Sequence, residues 1–367
     1  MKMKYWYHYG ISVAILLLIG VFCLVYKSNP KEKYFQANDQ RFNYIGRFDF
    51  SDSIAPKCWA SGATIQFSFK GSSCSVLLED ANYLGPHNYV EIIVDGKYTQ
   101  RIKLKGKSNR VVVAKGLVKN KVHTVKICKG TEAKIGFLAF KGAYCDALLA
   151  SEKASKLIEF IGDSITCGTG SYLEESPCGS SDWYDQHSAY YSYGPSVCRK
   201  LQADWVLTSV SGYGLVRSCC GNTRTLLDVK DFTDLTFCSK KFKCKEEQLP
   251  DMECICLGQN DGLVPVEKLA NAYIDLIQAE AKNKRTTNFL CIVSPMASDR
   301  LKQHLGAVMK EVSSFFSRQK ELNVAVFQFS KRYSSGCDTH PTKHEHQLMA
   351  QELFPVVKSM LMDRKSL

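Results

Sequence analysis

Between Ala63 and Tyr144, apolar and polar residues alternate in short runs. ATIQFSF (63–69) is followed by a GSS turn and by CSVLLED (74–80). NYVEIIVDGKYTQRIKL (88–104) places two apolar runs on either side of Asp95-Gly96, a dipeptide that favours a tight hairpin turn. NRVVVAKGL (109–117), HTVKICKG (123–130) and IGFLAFKGAY (135–144) continue the pattern. Strands this short, separated by Gly, Asn, Asp and Lys turns, predict an all-β sandwich of jelly-roll type over residues 31–148.

The period changes after Lys156. The near-continuous apolar runs LIEFIG, DWVLTSV, ECICLG, NFLCIVSP and NVAVFQF alternate with longer amphipathic stretches. VEKLANAYIDLIQAEAKN sets Leu269, Tyr273, Leu276, Ile277 and Ala281 on one helical face. Apolar strands separated by helices predict an α/β domain over residues 149–367, with a parallel sheet covered on both sides. In such sheets, ligands bind beyond the carboxyl ends of the strands. The connection KGAYCDALLASEKASKLIEF has few glycines and no proline, so the two domains are expected to pack together rather than hang on a flexible linker.

The N-terminus, MKMKYWYHYGISVAILLLIGVFCLVYK, has an uncharged apolar run from Gly10 to Tyr26 behind two lysines. This run is near the lower limit of the ~17–25 residues that span a bilayer, and it also suits a signal-peptide core. Residues 1–30 are read as a signal anchor in preference to a cleaved signal peptide. Both readings export the remaining chain, either membrane-anchored through this segment or secreted. The net charge of +12 comes from 48 basic and 36 acidic residues, and its densest knot is KKFKCK (240–245). No nucleic-acid-binding motif accompanies it, so the excess is assigned to solvated surface, with attraction to an acidic glycan or membrane surface as the alternative.

The chain contains 16 cysteines. Cys254, Cys256 and Cys291 lie within apolar strands and are expected to pack as small hydrophobes. Cys219-Cys220 and the pair Cys238/Cys244 are the disulfide candidates. No Cys/His cluster has zinc-finger spacing, so no metal site is assigned.

Small polar blocks follow four of the predicted strands. They are Gly162-Asp163-Ser164, Ser211-Gly212-Tyr213-Gly214, Gly258-Gln259-Asn260-Asp261 and, past a loop, GCDTHP with Asp338 and His340. Each has an ordinary reading: Ser164 as a helix cap, Gly212 or Asn260-Asp261 as turn residues, His340 as a loop residue. Four of them, each in order at a strand end, have one shared explanation in a hydroxyl, a glycine, an amide and an imidazole converging on one sheet edge. Asp163 and Asp261 are expected to hold loops, His344 and His346 to lie on a helix surface, and His187 has no evident partner.

The order Ser, Gly, Asn, His resembles the SGNH (GDSL-like) hydrolases, and most closely carbohydrate esterase family 2. IEFIGDSITCGTG, SVSGYGL, LGQNDG and GCDTHPTKHEHQLMA look like that family's catalytic domain, and GRFDFSDSIAPKCWASGATIQFSFKGSS, IIVDG and HTVKICKGTEA like its N-terminal jelly roll. The resemblance implies a three-layer SGNH fold behind the sandwich. It implies Ser164 as nucleophile, His340 as base and Asp338 as the weaker third member, with an oxyanion hole from Ser164, Gly212 and Asn260. The implied activity is removal of O-acetyl groups from a polysaccharide such as acetylxylan or acetylated mannan. It proceeds through an acetyl-serine intermediate, without metal or organic cofactor. The alternatives are an esterase or lipase on another acyl ester, or a glycan-binding protein with an inactive hydrolase fold.

Two departures from the pattern matter. Many SGNH enzymes carry aspartate three residues before the histidine, where this chain has Cys337, and some members resemble Ser-His dyads oriented by a backbone carbonyl. Thr339 stands where family 2 usually has tryptophan, which leaves Trp183, Tyr184 and Tyr213 as substitute walls for a sugar.

Overall fold

The computed structural model describes residues 32–362 except 82–84, 244–245, 247–248 and 320. The N-terminal apolar segment therefore lies outside the described residues, as does Cys244. Among the described residues, no helix is long and apolar enough to cross a membrane.

The front part is two antiparallel sheets face to face. One is built from β1 (Lys33–Gln36), β3 (Phe48–Asp49), β4 (Lys57–Cys58), β6 (Ser73–Asp80), β9 (Ser108–Lys115) and β11 (Leu138–Cys145). The other holds β2 (Asn43–Ile45), β5 (Thr64–Lys70), β7 (Tyr89–Val94), β8 (Lys97–Lys103), β10 (Val122–Lys129) and β12 (Ala147–Leu149). The alternation read from the sequence becomes the core between them: Ile65, Phe67, Phe69, Val76, Leu78, Val90, Ile92, Val125, Ile127 and Phe140 are all fully buried. The β7–β8 hairpin turns at Asp95 and Gly96, with φ of 50° and 74°. Two successive left-handed residues match the right-handed twist of the strands they join.

The back part is a five-stranded parallel sheet in the order β14 (Asp204–Ser209), β13 (Leu157–Gly162), β15 (Met252–Cys256), β16 (Asn288–Ile292), β17 (Asn323–Phe327). The short helices α1 (Ser164–Cys167) and α3 (Leu226–Val229) punctuate the loops. α4 (Val266–Lys284) and α5 (Asp299–Phe316) cover one face, burying Leu269, Tyr273, Leu276 and Ile277 against Ile161, Ile255, Phe289 and Cys291. α2 (Tyr193–Leu201) and α6 (Lys343–Met362) cover the other, against Ile158, Phe160, Cys254, Cys256 and Leu290. Alternate residues of one strand thus enter opposite cores, which is why these strands read as apolar throughout. Cys254, Cys256 and Cys291 are buried free thiols.

The two parts are packed against each other. The Trp205 indole donates to the Gly62 carbonyl at 3.0 Å. Gly62 has φ of +74°, and a Cβ there would lie 2.8 Å from Leu207, so this close approach needs glycine. Arg47 of the sandwich reaches Thr208 at 3.0 Å, and Arg101 donates to the carbonyls of Asp185 and His187.

Candidate active site

Ser164 sits where β13 ends at the carboxyl edge of the parallel sheet. The helix cap here is Asp163, whose Oδ1 accepts from the Ile165 N–H at 3.0 Å. Ser164 is thereby the first helical residue, and its hydroxyl is left for other work. Gly162 has no room for a side chain, since a Cβ would lie 2.1 Å from Thr166 Oγ1.

His340, 176 residues further on, brings its Nε2 to 2.8 Å from Ser164 Oγ. Its Nδ1 lies 3.3 Å from the carbonyl of Cys337. A carbonyl can only accept, so Nδ1 carries the ring proton and Nε2 presents its lone pair to the serine hydroxyl. Burial pulls the His340 pKa down from its ordinary value, while the Cys337 carbonyl and the Asp338 charge oppose the shift. The ring is thus held neutral, the form a base requires.

Asp338 is exposed, and the ring's hydrogen-bond partner is the carbonyl three residues before His340 rather than the Asp338 carboxylate. The arrangement is a dyad with a carbonyl in the orienting place. Asp338 and Thr339 both have positive φ, 49° and 60°. For non-glycine residues such backbone costs about 1–2 kcal/mol each, so the turn that aims the imidazole must be held by its surroundings. Gly170 is one support: with φ of +74°, it packs so closely that a Cβ would sit 3.0 Å from the Cβ of His340.

Asn260 joins the first three blocks. Its Nδ2 donates to Asp163 Oδ2, beside Ser164, and to the carbonyl of Tyr213, beside Gly212, both at 3.0 Å. It is a strut in this structure, with its amide nitrogen engaged by both partners. Gly212 has φ of +82°, and its N–H has no hydrogen-bond partner among the described residues. Asp261 accepts from the N–H groups of Leu215, Val216 and Arg217, fixing the loop that follows Gly212. Asp163 and Asp261 therefore hold loops, as expected. Burial, with Asp261 adding to it, pushes the Asp163 carboxyl up to about 7.

Several residues differ from the sequence reading. His346 is fully buried on α6, with its ring nearly parallel to Tyr193, and is not a surface residue. His187 is fully buried too, with Trp183 edge-on at 4.0 Å and its Nδ1 3.8 Å from Glu132. Tyr213 is buried, leaving Trp183 as the more exposed aromatic among the three candidate walls. Cys219 and Cys220 form a disulfide as expected, whereas Cys238 is a half-buried free thiol and its expected partner Cys244 lies outside the described residues. A second disulfide, Cys178–Cys337, joins residues 159 positions apart, and nothing in the local sequence signals it.

The reading also missed the sandwich's own contribution to the site. Glu132 Oε2 accepts from the N–H of Ser211 at 3.1 Å, and Lys134 donates to the Ser211 carbonyl at 3.1 Å. The residue before Gly212 is therefore gripped from the other domain. Glu132 itself is fully buried, which raises its pKa.

Residues 44–152 match the family described as "Carbohydrate esterase 2 N-terminal". The chain is 30% identical over 327 residues to the "Cellulase/esterase CelE" of Acetivibrio thermocellus, an alignment covering 87% of this chain and 39% of that longer protein. It is 26% identical over 309 residues to an "Acetylxylan esterase / glucomannan deacetylase" of Cellvibrio japonicus, covering 78% of this chain and 81% of the relative. Among solved structures, a family two carbohydrate esterase from Clostridium thermocellum, in complex with cellohexaose, superposes with a TM-score of 0.79 at 28% identity. That match covers 88% of this chain and 99% of the other. The paired sheets in front, the parallel sheet behind and the Ser-Gly-Asn-His blocks agree with these likenesses: the front segment matches the carbohydrate esterase 2 N-terminal family, and the chain shares its fold, the SGNH (GDSL-like) hydrolase fold behind a β sandwich, with the family two carbohydrate esterases.

Proposed function

We propose that this protein is a serine esterase that removes O-acetyl groups from a polysaccharide, with acetylated xylan or mannan as the substrate class. The observation that carries the reading is the 2.8 Å contact between Ser164 Oγ and His340 Nε2 at the carboxyl edge of the sheet. His340 takes the serine proton as Oγ attacks the acetyl carbonyl. The carbonyl oxygen becomes an anion facing the N–H groups of Ser164 and Gly212 and the side-chain amide of Asn260. A donor of this kind is typically worth about 3 kcal/mol of barrier. The imidazolium then protonates the departing sugar hydroxyl. In the second half, His340 takes a proton from water, the hydroxide attacks the acetyl-serine, and acetate leaves as Ser164 regains its proton.

Trp183, on the loop between residues 169 and 188, is the candidate wall for a sugar ring in place of the missing aromatic at Thr339. Export through the N-terminal segment accords with two disulfides among the described residues, since such bonds persist in oxidising compartments. The relatives named for acetylxylan and glucomannan support the substrate class. The test is acetate release from a panel of acetylated xylans and glucomannans set beside long-chain acyl esters. Release from the glycans is expected; hydrolysis confined to long-chain esters, or none, overturns the proposal.

A further inference from the structure

The orienting carbonyl belongs to a half-cystine. Cys337 accepts from both the N–H and the Nδ1–H of His340, at 2.9 and 3.3 Å, so its carbonyl sets the backbone and the ring of the histidine together. Its side chain is bonded to Cys178, on the loop between residues 169 and 188. The same loop supplies Gly170, which packs against the Cβ of His340, and Glu174, which pairs with Lys343 at the start of α6 at 3.1 Å. Between Cys337 and His340 stand two non-glycine residues in left-handed conformation. Such a turn relaxes once its anchor is removed. The line of force runs from Cys178 through the disulfide to the Cys337 carbonyl, then to Nδ1, Nε2 and Ser164 Oγ.

We infer that the Cys178–Cys337 disulfide is the positioning element of the dyad. It does by a covalent tether to a carbonyl what a carboxylate three residues before the histidine does in related arrangements. Cys178 and Cys337 are positioning residues, acting on the substrate only through His340. The inference rests on the proposed esterase chemistry.

The experiment compares the full-length protein with Cys178→Ala and with Cys178→Ala/Cys337→Ala, each shown to be folded by circular dichroism. A peptide map of the wild type should contain the Cys178–Cys337 linkage; its absence overturns the inference. With 4-nitrophenyl acetate, which needs no sugar contacts, both variants should lose kcat by about tenfold or more while KM stays within roughly twofold. Unchanged kcat, or a loss carried by KM, overturns it. Nitrogen-15 NMR of the His340 ring is the second readout. The Nδ1–H tautomer should dominate in the wild type and give way to a mixture in both variants, and an unchanged tautomer overturns the inference. A wild type without esterase activity defeats the functional reading, and the peptide map and ring tautomer still decide the role of the disulfide.

Discussion

Replacing His346 by leucine should remove a defined share of the protein's acid sensitivity. The imidazole is fully buried on α6, and both its nitrogens lack a hydrogen-bond partner among the described residues. Burial drives its pKa from 6.5 down to about 3, with the nearby His340 adding to the shift and Glu345 opposing it. Because the folded pKa lies below the unfolded one, the unfolded chain binds the extra proton. The stability from keeping this ring neutral is present above the unfolded value and is lost as pH falls towards the folded one. At about pH 5 the loss is 2.303RT times 1.5 pH units, about 2 kcal/mol. His187, buried and held at about 3, adds a second increment of the same sign. Urea unfolding of wild type and His346→Leu at about pH 7 and pH 5 gives a double difference in which the groups common to both proteins cancel. The wild type should lose about 2 kcal/mol more than the variant over this interval. Equal losses would show that the imidazole is already protonated, or solvated, in the folded protein, and would refute the reasoning.

Other outcomes concern the site. Ser164→Ala should abolish acetate release with the melting temperature maintained; substantial residual turnover would sink the assignment of the nucleophile. His340→Ala should lose nearly all kcat/KM and Asp338→Ala should keep a measurable part, because the Cys337 carbonyl already orients the ring; near-equal losses in the two folded variants would argue for an obligatory carboxylate. Since burial lowers the His340 pKa, the acid limb of kcat/KM should have its midpoint below the ordinary imidazole value of 6.5, and a midpoint above that value would contradict the buried base. Gly212→Ala should cost roughly tenfold or more in kcat. The new Cβ would meet Cys219 Sγ at 3.0 Å on a backbone with φ of +82°, so wild-type kcat would remove Gly212 from the oxyanion hole.

The legible parts of this molecule were those written in local periodicity. Alternation over ATIQFSF and the Asp95-Gly96 turn became β5 and the β7–β8 hairpin, and the run around Tyr273 became α4. The three- and two-residue strands β2, β3 and β4 were illegible, because such lengths carry no period and form only by pairing with other strands. Glu159 and Glu253 inside apolar strands gave no hint of the Lys284 ammonium they share, at 2.7 and 3.4 Å. Ser164, Gly212, Asn260 and His340 could be picked out because each stands directly after a strand or in a matching block. The Cys178–Cys337 bond, the buried His346 and the grip of Glu132 on Ser211 depend on which distant segments meet, and that is decided by packing.

That grip has a practical consequence. Here the front sandwich reaches with Glu132 and Lys134 to both backbone groups of Ser211, one residue before Gly212. Deleting the sandwich, or grafting another in its place, would strip the loop of its outer brace and expose Trp205 and Leu207, now covered at Gly62. A chimera that ignores the 130–136 segment would therefore leave the loop before Gly212 without its partners.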